Sequence, residues 1–166
     1  MNVKELMTTR EVVYKIVFSS LFVNNENTES LELWNIINDK LVINKEGLHE
    51  FIKTLKNDKD EVLEITEKME STLILYLERY SLCVKEFNTL ISKYLTGKFT
   101  IDKLAKADLA ILYVAMLELK FRTDTSEKII VNEAVNLSKK YSTENSYKFI
   151  NGILKNLVKE MRDINE

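Results

Sequence analysis

The sequence predicts an all-α fold. Three observations carry this. There is no proline, and there are three glycines in 166 residues, a composition that suits long helices with few tight turns rather than sandwiches or barrels. Apolar residues recur at helical spacing through most of the chain. From Ala107 to Phe121 they are almost unbroken, Leu109 through Leu117 carrying no polar interruption. A helix apolar on nearly every side is a buried central helix. This one is shorter than the roughly 20 apolar residues that a membrane span needs.

Taken in order, Met1 to Thr9 reads as an arm, with Thr8 or Thr9 as N-cap. A first helix follows from about Arg10 to Val23, burying Val13, Ile16, Val17, Ser20 and Leu21. Asn24 to Asn27 is a break. Residues 30–43 carry Leu31, Leu33, Trp34, Ile36, Ile37 and Leu41 and predict a second helix, with Trp34 as an apolar anchor. Lys45 to Lys56 predicts a third, built on Leu48, Phe51, Ile52 and Leu55. Asn57 to Asp60 is a loop or cap. Residues 61–96 read as one long helix or two, closed by Thr96-Gly97-Lys98, glycine being the usual residue just past a helix end.

The apolar helix comes next, and two amphipathic helices follow it. In the first, Ile130, Ala134, Leu137 and Tyr141 share a face. In the second, Phe149, Ile150, Ile153, Leu154, Leu157, Val158 and Met161 do the same. Ser142 or Thr143 is placed to cap the last helix, and Glu144 then falls in its first turn, where a negative charge is favourable. Gly152 lies inside that helix, where glycine costs about 1 kcal/mol relative to alanine. The expected reason is a close helix–helix crossing.

Composition excludes several functions. Gly47, Gly97 and Gly152 are too scattered for a phosphate-cradling loop, and His49, the sole histidine, has no nucleophile pattern around it. With Cys83 as the only cysteine, neither an intrachain disulfide nor a Cys/His zinc cluster can form; Cys83 is expected in the core. No enzyme, metal or cofactor is therefore expected. The N-terminus lacks a signal-peptide pattern, so a cytoplasmic protein without membrane contact is expected. The formal net charge is −2, which leaves no global footprint for nucleic acid. The distribution is uneven: about +1 over residues 1–23, −6 over 24–70 and +3 over 71–166. A local basic face is thus compatible with the overall sign.

Particular residues also carry a family resemblance. IVNEAVNLSKKYSTENSYKFINGIL resembles the signature V-I-N-E-A-V-x-L-A-K-x-F-x-x-x-D-S-x-K-F-V-N-G-V-L of the NusB family of bacterial transcription antitermination factors. FTIDKLAKADLAILYVAMLEL resembles the preceding family stretch, with Phe99 where a tryptophan is usual. REVVYKIVF resembles the N-terminal R-E-x-A-x-x-A-L-Y piece, with Arg10, Glu11 and Phe18 in matching places. The likeness is strong over residues 99–158, where the N-E-A-V and K-F-x-N-G-x-L pieces occur together at the family spacing.

The resemblance implies about seven helices in two three-helix bundles, within one domain over residues 1–166. The acidic helical region at about 24–70 is longer than the family usually carries. It also implies binding of single-stranded boxA-type RNA together with NusE, a ribosomal small-subunit protein. That pair joins other Nus factors on RNA polymerase and suppresses termination, notably on ribosomal RNA operons. Some members form homodimers, and the sequence leaves that open. Carried over by position, Arg10 matches the last arginine of an RNA-binding arm. Leu6 and Met7 replace two others, and Lys4 compensates in part. Each cation lost from a single-strand contact flattens the salt dependence by roughly 0.7 log unit.

At the other end, Lys148 and Phe149 match a phosphate contact and a base contact, and Asn145 replaces an aspartate beside the RNA path. Phe18 and Asp108 match the surface that faces NusE. Leu109 and Tyr113 replace two family arginines and predict an exposed, less polar face. Each residue also has an ordinary reading. Phe149 fits a core position, Lys148 a solvated surface, Arg10 an ion pair and Asp108 a helix start. The second functional reading is a protein-interaction module in which RNA binding is weakened or lost.

Overall fold

The first helix starts earlier than its threonines suggest, because Asn2 and Glu5 cap it reciprocally. The Asn2 side chain accepts the Glu5 N–H at 2.8 Å, and the Glu5 carboxylate accepts the Asn2 N–H at 2.9 Å. This capping box satisfies two otherwise orphaned donors and starts α1 (Val3–Ser20). The expected arm is therefore mostly helical, and Thr9 is a buried residue whose hydroxyl donates to the Glu5 carbonyl at 2.7 Å. The computed structural model describes residues 1–22, 33–122 and 124–165, with side chains through Arg162. The expected break at Asn24 to Asn27, and Leu31, lie outside the described residues.

The predicted second helix is instead a β-hairpin over its described part. β1 (Trp34–Ile37) pairs antiparallel with β2 (Lys40–Ile43), Trp34 opposite Ile43 and Ile37 opposite Lys40. Asn38 and Asp39 make the turn at φ 51° and 63°. A two-residue loop with both φ positive matches the twist of paired strands, and short polar side chains tolerate that conformation best. Short apolar runs fit a strand or a helix equally; the turn dipeptide and the β-branched Ile36, Ile37, Val42 and Ile43 decide it. Among the described residues the fold is thus mostly helical, with six α-helices rather than seven and one hairpin.

Contacts divide the chain into two compact units, Met1–Ser81 and Leu82–Glu166. In the first, Trp34 is fully buried. Its indole N–H donates to Ser19 Oγ at 3.4 Å, and its ring meets Tyr80 edge-on at 6.0 Å. Burial raises the Tyr80 phenol above its usual pKa, outweighing the opposing effect of the Ser20 hydroxyl 3.0 Å away. α2 (Lys45–Lys53) begins at Asn44, whose side chain accepts the Gly47 N–H at 3.2 Å. It ends three residues earlier than predicted. Residues 54–66 are not helical, with Asp60 at φ 62° and Leu63 N–H bonded to the Leu55 carbonyl at 2.9 Å. α3 (Glu67–Ser92) is a single 26-residue helix that starts six residues later than predicted. It ends at Ser92, four residues earlier than predicted, so Gly97, at φ 67°, sits in the loop beyond rather than just past the helix end.

In the second unit, a 3₁₀ turn (Ile101–Lys103) leads into α4 (Lys106–Phe121), where every residue from Asp108 to Glu118 is buried. α5 (Glu127–Tyr141) and α6 (Ser146–Asn165) pack on α4 and on each other. α6 buries Ile150, Ile153, Leu154, Leu157 and Met161, each stabilising by roughly 1.5–3 kcal/mol. Cys83 is buried, as expected for a core residue. Leu109 and Tyr113 are buried too, and the Tyr113 hydroxyl donates to Asn88. The expected exposed apolar face at those positions is therefore absent, because α4 is enclosed on that side. No helix among the described residues is long and apolar enough to cross a membrane.

Candidate nucleic-acid interface

The turn from α5 to α6 is held from below by Asp108. This carboxylate sits in the first turn of α4, 7 % exposed. Ser142 Oγ donates to one of its oxygens at 2.6 Å, and Ser146 Oγ donates to the other at 3.1 Å. Each hydroxyl has one proton. With both directed at the carboxylate, Thr143 Oγ1 supplies the hydrogen to Ser146 Oγ at 2.8 Å. Ser142 is the C-cap of α5, and α6 begins at Ser146, so the expected cap at Ser142 or Thr143 falls too early and Glu144 precedes the first turn of α6. The three hydroxyl residues thus close the turn onto α4. Asp108 neither caps α4 by a side-chain bond nor points outward; it fixes the position of the loop that starts α6.

That loop presents the candidate RNA residues of the second unit. Asn145 is exposed, and its carbonyl accepts the Lys148 N–H at 3.3 Å. Lys148 is exposed and Phe149 half-buried, so Phe149 both contributes to packing and keeps ring surface accessible. Tyr147 stands between them and the preceding helix. The Lys139 ammonium lies 5.2 Å from its ring centroid and that of Lys148 5.9 Å. Both are within cation–π range. A ring flanked by two ammonium groups offers a base a stacking surface beside two phosphate partners. Sequence reading missed Tyr147 and Lys139. The usable signal was an aromatic next to the K-F pair, one turn of chain away from a Lys-Lys pair ending α5.

Gly152 differs from its expected role. It is exposed, and a Cβ built on it would meet nothing within 4 Å. No helix crosses there, because α6 turns its opposite face to α4 and α5. Lys148, Gly152, Lys155 and Lys159 fall at i, i+4, i+7 and i+11, and all four are exposed. They form one stripe along the outer face of α6.

The first unit holds the remaining candidates. Lys4 is exposed in the first turn of α1. Arg10 is 8 % exposed and engaged within the chain, so its guanidinium is not presented to solvent. Phe18 is half-buried, stacked on Tyr14 at 6.0 Å and met edge-on by Phe22 at 5.0 Å. Phe22 is itself 41 % exposed. This aromatic ladder leaves apolar surface open on α1. No cluster of His, Cys, Asp and Glu suited to a metal exists among the described residues.

Comparison with known proteins bears on the family and the fold. The family model described as the NusB family matches residues 7–159. The transcription antitermination protein NusB of Ligilactobacillus salivarius (strain UCC118) is 32 % identical over 150 residues, covering 90 % of this chain and 98 % of that protein. The protein of the same name from Clostridium botulinum (strain Hall) is 33 % identical over 151 residues, covering 90 % and 96 %. The solved structure of T. maritima NusB superposes with a TM-score of 0.69 at 28 % identity, covering 96 % of this chain and 94 % of that one. A structure described as antitermination factors NusB and NusE in complex with dsRNA superposes at a TM-score of 0.66 and 21 % identity, covering 96 % and 99 %; at that identity it speaks to the fold.

Proposed function

The chain belongs to the NusB family, and on that premise we propose that it is a transcription antitermination factor. It binds boxA-type single-stranded RNA together with NusE. Through NusE it joins the Nus factors on RNA polymerase and suppresses termination, notably on ribosomal RNA operons. It works in the cytoplasm as one functional domain, in the family arrangement of two three-helix bundles, and performs no catalysis.

The observation that carries this reading is the start of α6. There a buried carboxylate and two serines fix a turn that exposes Asn145 and Lys148, with the half-buried Phe149 ring beside them. Phosphate contacts from lysine and stacking on an aromatic ring are the two interactions by which single strands are held. Lys4 adds a cation from α1. With Arg10 buried and Leu6 and Met7 uncharged, the arm contributes less to affinity than the α6 side does. Phe18, with Phe22 beside it, is the proposed contact for NusE. Asp108 serves that assembly by holding the turn.

The test is fluorescence anisotropy of a boxA-type RNA titrated with this protein, with and without NusE, at several salt concentrations. Tighter binding with NusE, and discrimination against a scrambled RNA, are the expected results. Lys148→Ala combined with Phe149→Ala should weaken RNA binding while circular dichroism keeps its helical signal. Unchanged affinity in that folded variant would remove the pair from the site. The second reading, an interaction module with weak RNA binding, is favoured by the buried Arg10 and the absent arm arginines. It predicts NusE binding without specific RNA binding.

A further inference from the structure

Between the outer faces of α5 and α6 runs an open groove of about 800 Å³. Its floor is Val131, Val135 and Val158, and Tyr147 closes the end near Lys148. Lys128, Lys139 and Lys155 flank it, and Asn132 and Asn151 offer amides along it. The one lining carboxylate, Glu127, is engaged by Arg162, whose guanidinium Nε donates to it at 3.1 Å. Among the described residues none of the three lysines makes an ion pair. The groove is therefore cationic and apolar at once, although the chain as a whole is acidic.

Gly152 supplies an independent observation. Glycine inside a helix is unfavourable by about 1 kcal/mol, and nothing within the chain needs the space it leaves. It sits between Lys148 and Lys155 on the exposed stripe. The two lysines are about 10 Å apart along the helix axis. A missing side chain between two cations lets an extended anion lie close against the helix backbone.

We propose that this groove binds the single-stranded nucleotides that flank the boxA-type element, their phosphates along Lys139 and Lys155 and a base on Tyr147, the strand leaving the groove past Gly152 on the adjoining stripe of α6. The inference rests on the RNA-binding reading above and extends it to a second segment of RNA. Charge complementarity selects a polyanion. The bracketed aromatic ring and the two amides select splayed bases over a duplex, whose bases are hidden.

The experiment compares a boxA-type RNA with the same RNA extended by single-stranded uridines at either end, each titrated over a salt series. The native protein should bind one extended RNA more tightly and with a steeper salt slope. Lys139→Gln with Lys155→Gln should lower the slope for that RNA by about 1.4, two single-strand contacts, and move the slope for the bare element less. Tyr147→Leu should cost the extended RNA about fivefold or more. Equal affinity for bare and extended RNA, or an unchanged slope in the folded lysine variant, would overturn the groove assignment and leave the RNA reading standing. No binding of either RNA would overturn both. Displacement of the extension by polyglutamate as effectively as by unlabelled RNA of equal charge would make the groove an acidic-peptide site and refute the proposal.

Discussion

Replacing Asp108 by alanine tests whether the turn before α6 is held from within the fold. The substitution removes two hydrogen bonds to a carboxylate, at 2.6 and 3.1 Å. Bonds to a charged group contribute roughly 1.5–3 kcal/mol each. Ser142 is half-exposed, so water replaces part of its loss. Ser146 is buried, and its hydroxyl retains Thr143. The expected cost is about 3 kcal/mol in all, which lowers Tm by about 6–12 °C for a chain of this size. Urea unfolding of Asp108→Ala, Ser146→Ala and the double variant measures it. The two single costs should exceed the double cost by about 0.5–3 kcal/mol, the range for residues sharing one network. Additive losses would refute the network. Unchanged stability with lost NusE affinity would show that Asp108 faces the partner, contrary to the geometry.

Three further predictions follow from separate features. Gly152→Ala should stabilise the protein by about 1 kcal/mol in chemical unfolding, since the site is helical, exposed and open around the new methyl group, while weakening binding of the extended RNA; destabilisation would contradict the open geometry. Asn44→Ala should destabilise by about 1 kcal/mol through loss of the α2 cap, and an unchanged urea midpoint would count against that cap. Hydrogen bonds from Lys93 and Tyr94 hold the Glu160 carboxyl below its usual 4.5. A depressed folded-state pKa contributes stability that is present above the unfolded value and lost as pH falls through the folded one. Glu160→Gln should therefore flatten the fall in Tm below about pH 4.5, and identical acid profiles for the two proteins would exclude the linkage.

The fate of individual residues separates what was legible from what was not. The α4 run, the apolar faces of α5 and α6 and the buried Trp34 and Cys83 were readable, because helical periodicity is a local property of sequence. The stop at Gly97 was placed too late, since α3 ends at Ser92. The hairpin was misread because its apolar run is too short for periodicity to choose a strand over a helix, and the choice passed to the Asn38-Asp39 turn. The start of α1 was misread because Asn2 and Glu5 compete with the later threonines for the cap, and the reciprocal pair satisfies more donors.

The sequence by itself determined a mostly helical protein with one cysteine and one histidine, too few for a Cys/His zinc cluster or an intrachain disulfide, and its K-F-x-N-G and N-E-A-V pieces identified its family. Those facts depend on residue type and spacing along one element. Only the tertiary structure decided that Asp108 reaches across to the Ser142–Ser146 turn, and that Arg10, Leu109 and Tyr113 are buried. Only it showed that Gly152 is open to solvent and that Lys139 of α5 shares the Tyr147 ring with Lys148 of α6. Periodicity tells which face of a helix is apolar. Which polar residues of different helices meet, and which small residue is left uncovered, depends on how the helices pack.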